Sequence, residues 1–154
     1  IAREHLFDEM GISIQSWPRD GQSFYYGSGD ISISPRSMAK FGQLYLDEGV
    51  WNDMQLIPLD WVKRSLRIYS PVTYAGEILS HISSLKYGYL WWTGTTGNHQ
   101  LWFAWGFGGQ MIAIVDELDL VMVTSASVHY ASEEEAWPKS KAILELVGRF
   151  IADL

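Results

Sequence analysis

A glycine-rich stretch of eight residues, FAWGFGGQ at 103–110, constrains the fold of this chain most strongly. It joins two runs of strand-forming residues, 100–105 and 110–116, and three of its eight residues are glycine. Glycine inside a strand pattern weakens the strand, and usually marks a bulge or a close approach of another molecule to the backbone. The bulky side chains of Trp105 and Phe107 flank Gly106. Two interpretations stand side by side: a bend in a sheet with aromatic residues in the core, or a binding site at the end of a strand.

The composition indicates one globular domain. The chain has 154 residues, which is long enough for one domain with a hydrophobic core but short for two domains. Of these residues 47% are apolar and 19% charged, as in ordinary globular proteins. A net charge of -7 without a cluster of Lys or Arg argues against nucleic-acid binding. No apolar run reaches the roughly 18 residues needed to span a membrane. Eight Trp and eight Tyr predict aromatic surfaces, either in a packed core or in a ligand groove.

No metal site or cofactor is predicted. The chain lacks cysteine, which excludes disulfides and thiolate ligands. The four histidines are scattered and show no i, i+4 pair or carboxylate at ligand spacing: His5, His81, His99 and His129. The chain opens at Ile1 with a helix-like pattern already under way, so we interpret 1–154 as the C-terminal portion of something longer.

Local signals predict the elements of the first half. Ser34 before Pro35 is typical of a helix start, and the apolar spacing that follows predicts a helix over 35–48 that ends at Gly49. Residues 50–56 predict a small hairpin turning at Asn52 and Asp53. A short helix is predicted over 58–66, with a loop over 67–84.

The second half is predicted to form a sheet. Strands are expected over 87–92, 100–105, 110–116 and 119–126, with a turn over 93–98. Pro138 is expected to begin a final helix, and the acidic run 133–135 to lie in solvent ahead of it. The buried stripe predicted for that helix is Ile143, Leu146, Val147, Phe150 and Ile151. The fold class is therefore α+β: an antiparallel sheet of at least three strands with the C-terminal helix packed on it, and helices and loops on the N-terminal side.

The order and the amino-acid sequences of these segments resemble the C-terminal part of the class C β-lactamase-related serine hydrolases. That superfamily also holds penicillin-binding proteins, DD-peptidases, esterases and 6-aminohexanoate-dimer hydrolases. The matching segments cover most of the chain in order: ISPRSMAKFGQLYL (33–46), GVWN (49–52), WV (61–62) with Ser65, YGYLWW (87–92) and GFGGQ (106–110). The resemblance implies that 1–154 is part of a single domain of the β-lactamase and transpeptidase-like fold.

The resemblance also implies acyl transfer through a serine nucleophile. In the family, the nucleophile lies in a Ser-x-x-Lys motif at a helix start, and a Tyr-x-Asn motif contributes to the general base. A third motif, usually Lys-Thr-Gly or His-x-Gly, lies on a strand. The residue after its glycine donates a backbone N–H to the oxyanion, and the nucleophile's own N–H is the second donor. The first two motifs are expected upstream of Ile1.

Carried onto this chain, the third motif falls on Ala104, Trp105 and Gly106. Phe107 is then the expected backbone oxyanion donor, while Ala104, Trp105 and Gly108 are expected to border the substrate. Ala104 stands where the family has Lys or His, and it cannot hold a charge. That departure weakens a β-lactamase assignment, because the cation normally meets a substrate carboxylate, and it favours an esterase or amidase.

Two Ser-x-x-Lys matches occur within the chain, Ser37 with Lys40 and Ser83 with Lys86. Ser37 is predicted in the first turn of a helix, where the helix dipole would help a nucleophile. It falls, however, outside the segment in which the family keeps its serine, so no nucleophile or base is assigned here.

The sequence leaves a second function open: a non-catalytic, degenerate hydrolase module that binds a glycan, a peptide or a partner protein. The abundant tryptophan and Ala104 favour it. On the hydrolase interpretation the partner is a small ester or amide, and the resemblance suggests a periplasmic or secreted location. A truncated chain would also expose a strand edge and apolar area, and so could self-associate.

Overall fold

The computed structural model describes residues 1–27, 29–72, 79–126 and 132–154. Its main strands are β3 (Ser70–Pro71), β4 (Ser83–Tyr87), β5 (Trp92–Thr96), β6 (His99–Gly106), β7 (Gln110–Val115) and β8 (Leu120–Thr124). They form one antiparallel sheet in chain order from β3 to β8. The predicted α+β class, with at least three antiparallel strands, is confirmed.

Three α-helices accompany the sheet: α1 (Pro35–Leu46), α2 (Leu59–Ser65) and α3 (Glu133–Ala152). The Ser34 hydroxyl caps α1 by accepting a hydrogen bond from the Ser37 backbone N–H, at 3.2 Å. Beyond the helix, Glu48 and Gly49 have positive φ angles of 53° and 88°, which reverse the chain. The predicted helix is confirmed and ends two residues earlier than expected.

The predicted hairpin is also confirmed. Strands β1 (Val50–Trp51) and β2 (Met54–Gln55) pair across Asn52 and Asp53. Both turn residues have positive φ angles, 48° and 63°, as a tight two-residue hairpin turn requires. The opening segment forms a short π-helical turn, Arg3–Phe7, rather than an extended helix.

The predicted strand over 87–92 is wrong, and the predicted turn over 93–98 is right only at its last two residues, which connect β5 to β6. The chain turns over 88–91, between β4 and β5, and residues 92–96 are paired. The Tyr89 backbone N–H bonds to the Ser65 carbonyl at 3.3 Å, and Leu90 has a φ of 66°. A Cβ on Gly88 would lie 2.3 Å from the Arg67 carbonyl oxygen, so only glycine fits. Packing on residues about 20 positions earlier, rather than local sequence, therefore sets this turn.

The final helix begins five residues before its predicted start. Ser132 caps it by accepting from the Glu135 backbone N–H, so the acidic run forms its first turn, where the helix dipole favours carboxylates. Pro138 lies inside the helix. Two residues of the predicted stripe, Leu146 and Phe150, are exposed. The stripe that packs on the sheet is displaced, with these fully buried members: Ala136, Ser140, Leu144, Val147 and Ile151.

The sheet is covered on both faces. On one face the α3 residues Leu144, Val147 and Ile151 pack against a set from the strands that comprises Leu101, Phe103, Met111, Ala113 and Val115. On the other face Tyr45 of α1 and Val62 of α2 pack against Trp91, Ile112 and Ile114. Strands β6 and β7 therefore lie in the middle of the molecule and supply alternate residues to each face.

The Glu145 side chain ties α3 to the segment that leads into β4. Its carboxylate accepts hydrogen bonds from the Ser80 backbone N–H (2.6 Å), the Ser80 hydroxyl (2.8 Å) and the His81 backbone N–H (3.0 Å). Partial burial raises the pKa of Glu145, but the bonds from Ser80 and His81 more than offset this, so its pKa lies below the ordinary value.

We expect Glu145→Ala to lower the free energy of unfolding at neutral pH by about 1–2 kcal/mol, a figure reduced for solvent exposure of the carboxylate. Because the folded-state pKa is depressed, this contribution is complete above the unfolded pKa of about 4.3 and is lost as pH falls through the folded value. Urea unfolding of wild type and variant across that range should show their difference shrinking in acid. Glu9→Ala, at an exposed position, is the control. A difference that stays constant with pH would contradict the assignment.

Candidate active site

A pocket opens where β6 meets the N-terminal half of α3. It has a volume of about 420 Å³ and is lined by Trp105, Gly106 and Phe107 from the sheet, and by Trp137 and Ser140 from the helix. The rings of Trp105 and Trp137 contact each other, with centroids 5.4 Å apart and an angle of 43° between them, and both border the pocket. Phe107 and Trp137 are half-exposed at the mouth.

The turn beside the pocket, Phe107–Gly109, connects β6 to β7 through two glycines with positive φ, 77° at Gly108 and 94° at Gly109. A Cβ on Gly109 would lie 2.4 Å from Ile143 Cδ1 on α3. The Thr124 hydroxyl donates to the Gly109 carbonyl at 2.7 Å. Turn geometry and contact with α3 therefore explain glycine at this end of the stretch.

Gly106 has no such explanation. Its φ of -110° is ordinary extended backbone, and a Cβ there would meet Gln110 Cβ at 3.5 Å, a normal van der Waals contact. The fold would accept a side chain at this position. Glycine leaves the backbone bare where the strand ends beside the pocket.

Three of the five sequence-predicted site residues line the pocket: Trp105, Gly106 and Phe107. Ala104 lies on the opposite face of the sheet from Trp105 and packs with the apolar cluster under α1. Gly108 is buried in the turn. Sequence reasoning missed Trp137 and Ser140, because the predicted helix began at Pro138 and nothing local indicates that its first turns return to the glycine-rich stretch.

The pocket lining, as far as the structure describes it, has no ionisable side chain. Among the described residues, the groups with a shifted pKa lie elsewhere: Tyr25, Tyr69 and Glu145. The Ser140 hydroxyl is buried and donates to the Ala136 carbonyl at 3.1 Å. The lining offers backbone groups, one hydroxyl and aromatic surface, but no group for acid–base chemistry.

Two polar atoms beside the pocket are buried without a hydrogen-bond partner among the described residues: the indole Nε1 of Trp105 and the Oε1 of Gln110. The Gln110 amide nitrogen donates to the Ala126 carbonyl at 3.4 Å. Since a carbonyl can only accept, the nitrogen must face Ala126, and the orphaned atom is an oxygen. Buried unpaired groups are rare in folded proteins and each needs a reason.

Neither internal Ser-x-x-Lys match forms a catalytic pair. The Ser37 hydroxyl lies 3.0 Å from the Ser34 hydroxyl in the cap of α1. The Lys40 ammonium donates to the carbonyls of Met10 and Gly11, at 2.7 and 3.1 Å. Ser83 and Lys86 lie on β4, and the Ser83 hydroxyl donates to the Thr95 carbonyl at 3.4 Å. Ser37, Lys40 and Ser83 therefore have structural partners instead.

None of the described histidines lines the pocket. His99 Nδ1 lies 2.5 Å from a carboxylate oxygen of Glu117, and the His81 backbone N–H bonds to Glu145. His129 lies outside the described residues. The described part of the chain holds no group of three or more His, Cys, Asp or Glu placed to bind a metal ion, and none of its helices has the length and hydropathy to cross a membrane.

Comparison with known proteins yields structural matches alone. No family model matches the chain, and no curated protein does. The fold matches 24 chains of solved structures, and one of them is a candidate 6-aminohexanoate-dimer hydrolase from Bacillus anthracis. The match has a TM-score of 0.60 and 20% sequence identity, and it covers 99% of this chain and 38% of that protein. The similarity establishes the fold: this chain folds like just over a third of that protein.

We expect Gln110→Met to leave the free energy of unfolding within about 0.5 kcal/mol of wild type, or to raise it, because it removes an unpaired oxygen and one long hydrogen bond. Gln55→Met is the matched control. The Gln55 amide donates to the carbonyls of Glu48 and Ile57 at 2.9 and 2.6 Å, so its loss should cost about 1 kcal/mol. Denaturant unfolding measures both. Equal losses would show that Gln110 is fully satisfied in the folded chain.

Proposed function

We propose that residues 1–154 are the C-terminal portion of a single β-lactamase-like domain, and that the complete domain is a serine hydrolase acting by acyl transfer on an ester or amide. In this proposal the chain supplies the oxyanion strand and a wall of the substrate pocket. The observation that carries it is Gly106, a glycine that the fold does not require, at the strand end that borders the pocket.

The proposed chemistry divides between this chain and the part upstream of Ile1. A serine there attacks the carbonyl carbon of the substrate and gives its proton to a general base. The tetrahedral oxyanion accepts hydrogen bonds from the Phe107 backbone N–H and from the N–H of the nucleophile. Collapse breaks the bond to the alcohol or amine, which leaves with the proton, and water then hydrolyses the acyl-enzyme. Fixed donors of this kind lower such barriers by roughly 3–4 kcal/mol each.

Ala104 and the pocket lining both bear on the substrate. The position at which related enzymes hold a cation is an alanine packed among apolar side chains. None of the described lining residues carries a charge. These features favour an ester or amide without a carboxylate to be recognised, and so an esterase or amidase over a β-lactamase.

The experiment is Gly106→Val in the longer protein, compared with Gly106→Ala. We expect valine to cut the acylation rate by at least about tenfold, because its branched side chain crowds the approach to the Phe107 N–H, and alanine to have a smaller effect. Gly106→Ala should not lower the melting temperature, since a Cβ at 106 makes only ordinary contacts, and the melting temperature of Gly106→Val shows whether that variant folds. Burst kinetics with p-nitrophenyl acetate measures acylation. Near-normal acylation by the valine variant, or a coding sequence without Ser-x-x-Lys upstream of Ile1, would refute the proposal.

A second candidate, a module that binds a glycan, a peptide or a partner protein, is favoured by an exposed aromatic stack. Tyr89 stacks on Tyr69 at 4.5 Å and on Trp61 at 5.8 Å, and all three rings are nearly half-exposed. Saturable binding of oligosaccharides or peptidoglycan fragments, without hydrolysis by the longer protein, would favour this candidate.

The chain has two surfaces that further structure or a second copy would cover. Strand β8 pairs with β7 on one side, and no described strand pairs with its other side. Leu146, Phe150 and Leu154 form an exposed apolar stripe at i, i+4 and i+8 on α3 and just beyond it. Unpaired strand edges and apolar stripes both promote association.

We therefore expect this chain in isolation to self-associate as its concentration rises, seen as an increase in apparent mass by size-exclusion chromatography with light scattering. The double substitution Leu146→Glu, Phe150→Glu should reduce association through the helix stripe and leave the sheet intact, because both side chains are exposed. A monomer at every concentration tested would contradict this expectation.

A further inference from the structure

We propose that the pocket between β6 and α3 binds an uncharged aromatic group, which on the proposed function above is part of the ester or amide substrate. The role in catalysis rests on that proposed function. The binding itself is a property of the residues described here, and it can be measured on this chain alone.

The shape of the pocket suits a flat ring. A volume of about 420 Å³ falls within the range of small-molecule sites, and the walls are the tilted rings of Trp105 and Trp137. Aromatic groups prefer tilted or offset arrangements with centroids roughly 4.5–7 Å apart, which a third ring can adopt against either wall. The half-exposed ring of Phe107 adds a third aromatic surface to the lining.

The chemistry of the pocket selects against charge. A charged group that leaves water needs a partner of opposite charge, and the described lining offers none. Two charged residues of α3 near the lining, Lys139 and Glu135, bond to each other at 3.3 Å. The Ser140 hydroxyl uses its hydrogen on Ala136 and retains lone pairs, so it can accept from a neutral N–H. A neutral aromatic amide or ester meets these conditions better than an acid or an amine.

The walls are held in place before any ligand binds. Trp105 packs edge-on against Trp92, with centroids 5.8 Å apart, and Trp137 lies one helical turn before the buried Ser140. A ligand therefore orders few side chains when it enters, which favours affinity. The unpaired indole N–H of Trp105 also provides a local reporter, because its environment changes when the adjacent pocket fills.

The test uses this chain and four probes of similar size: phenylacetamide (neutral, aromatic), cyclohexylacetamide (neutral, not aromatic), phenylacetate (anionic) and phenethylamine (cationic). Indole N–H resonances report binding, and the Trp105 resonance is assigned from its loss in Trp105→Phe. We expect phenylacetamide to bind most tightly, with dissociation constants for both charged probes at least about tenfold higher.

Trp137→Ala should weaken phenylacetamide binding by about tenfold, because it removes one wall. Leu146→Ala, at an equally exposed position on the same helix, should leave binding unchanged. Equal affinities for charged and neutral probes, a preference for the cyclohexyl probe, or binding unaffected by Trp137→Ala would each overturn the proposal. If the probes behave as expected but the longer protein has no serine-dependent activity, the pocket assignment stands and the hydrolase function fails.

Discussion

The closeness of the β6–β7 turn to α3 is the constraint on which the rest of the site depends. Ile143 of α3 occupies the space where a side chain at Gly109 would be, so the backbone of the turn packs directly against a side chain of the helix. The same helix is fixed on the sheet by Leu144, Val147 and Ile151. Because both contacts fix the distance of α3 from the strands, Trp137 is brought into ring contact with Trp105, and the pocket opens beside the two rings.

The central position of β6 also determines what chemistry the strand can supply. Its side chains alternate between two apolar clusters, Leu101 and Phe103 toward α3 and Trp102 and Ala104 toward α1. A charged side chain in the middle of this strand would be buried without a partner on either face. The strand can therefore offer backbone groups at the end where it leaves the sheet.

Local signals in the sequence predicted what local physics decides. Ser34 before Pro35 set the start of α1, and Asn52 with Asp53 set the hairpin, because caps and two-residue turns depend on a few neighbouring residues. The turn over 88–91 was missed, because carbonyls of Ser65 and Arg67, distant in sequence, shape it. The aromatic residues of that turn resemble a strand pattern but instead pack on other elements. For the site, the glycine-rich stretch was predictable, but its partners on α3 were not, since their approach depends on how the helix lies across the sheet.

The glycines of the stretch 103–110 then separate into two kinds, which composition alone could not distinguish. Gly108 and Gly109 both have positive φ angles, which favour glycine, and Gly109 also leaves no room for a side chain beside Ile143. Neither reason applies to Gly106, since its backbone is extended and a methyl group would fit. A glycine that is free to be replaced weakens a strand slightly and gives the fold nothing in return. Its physical effect is to keep the strand end open toward the pocket, so that accessible backbone lies beside a cavity.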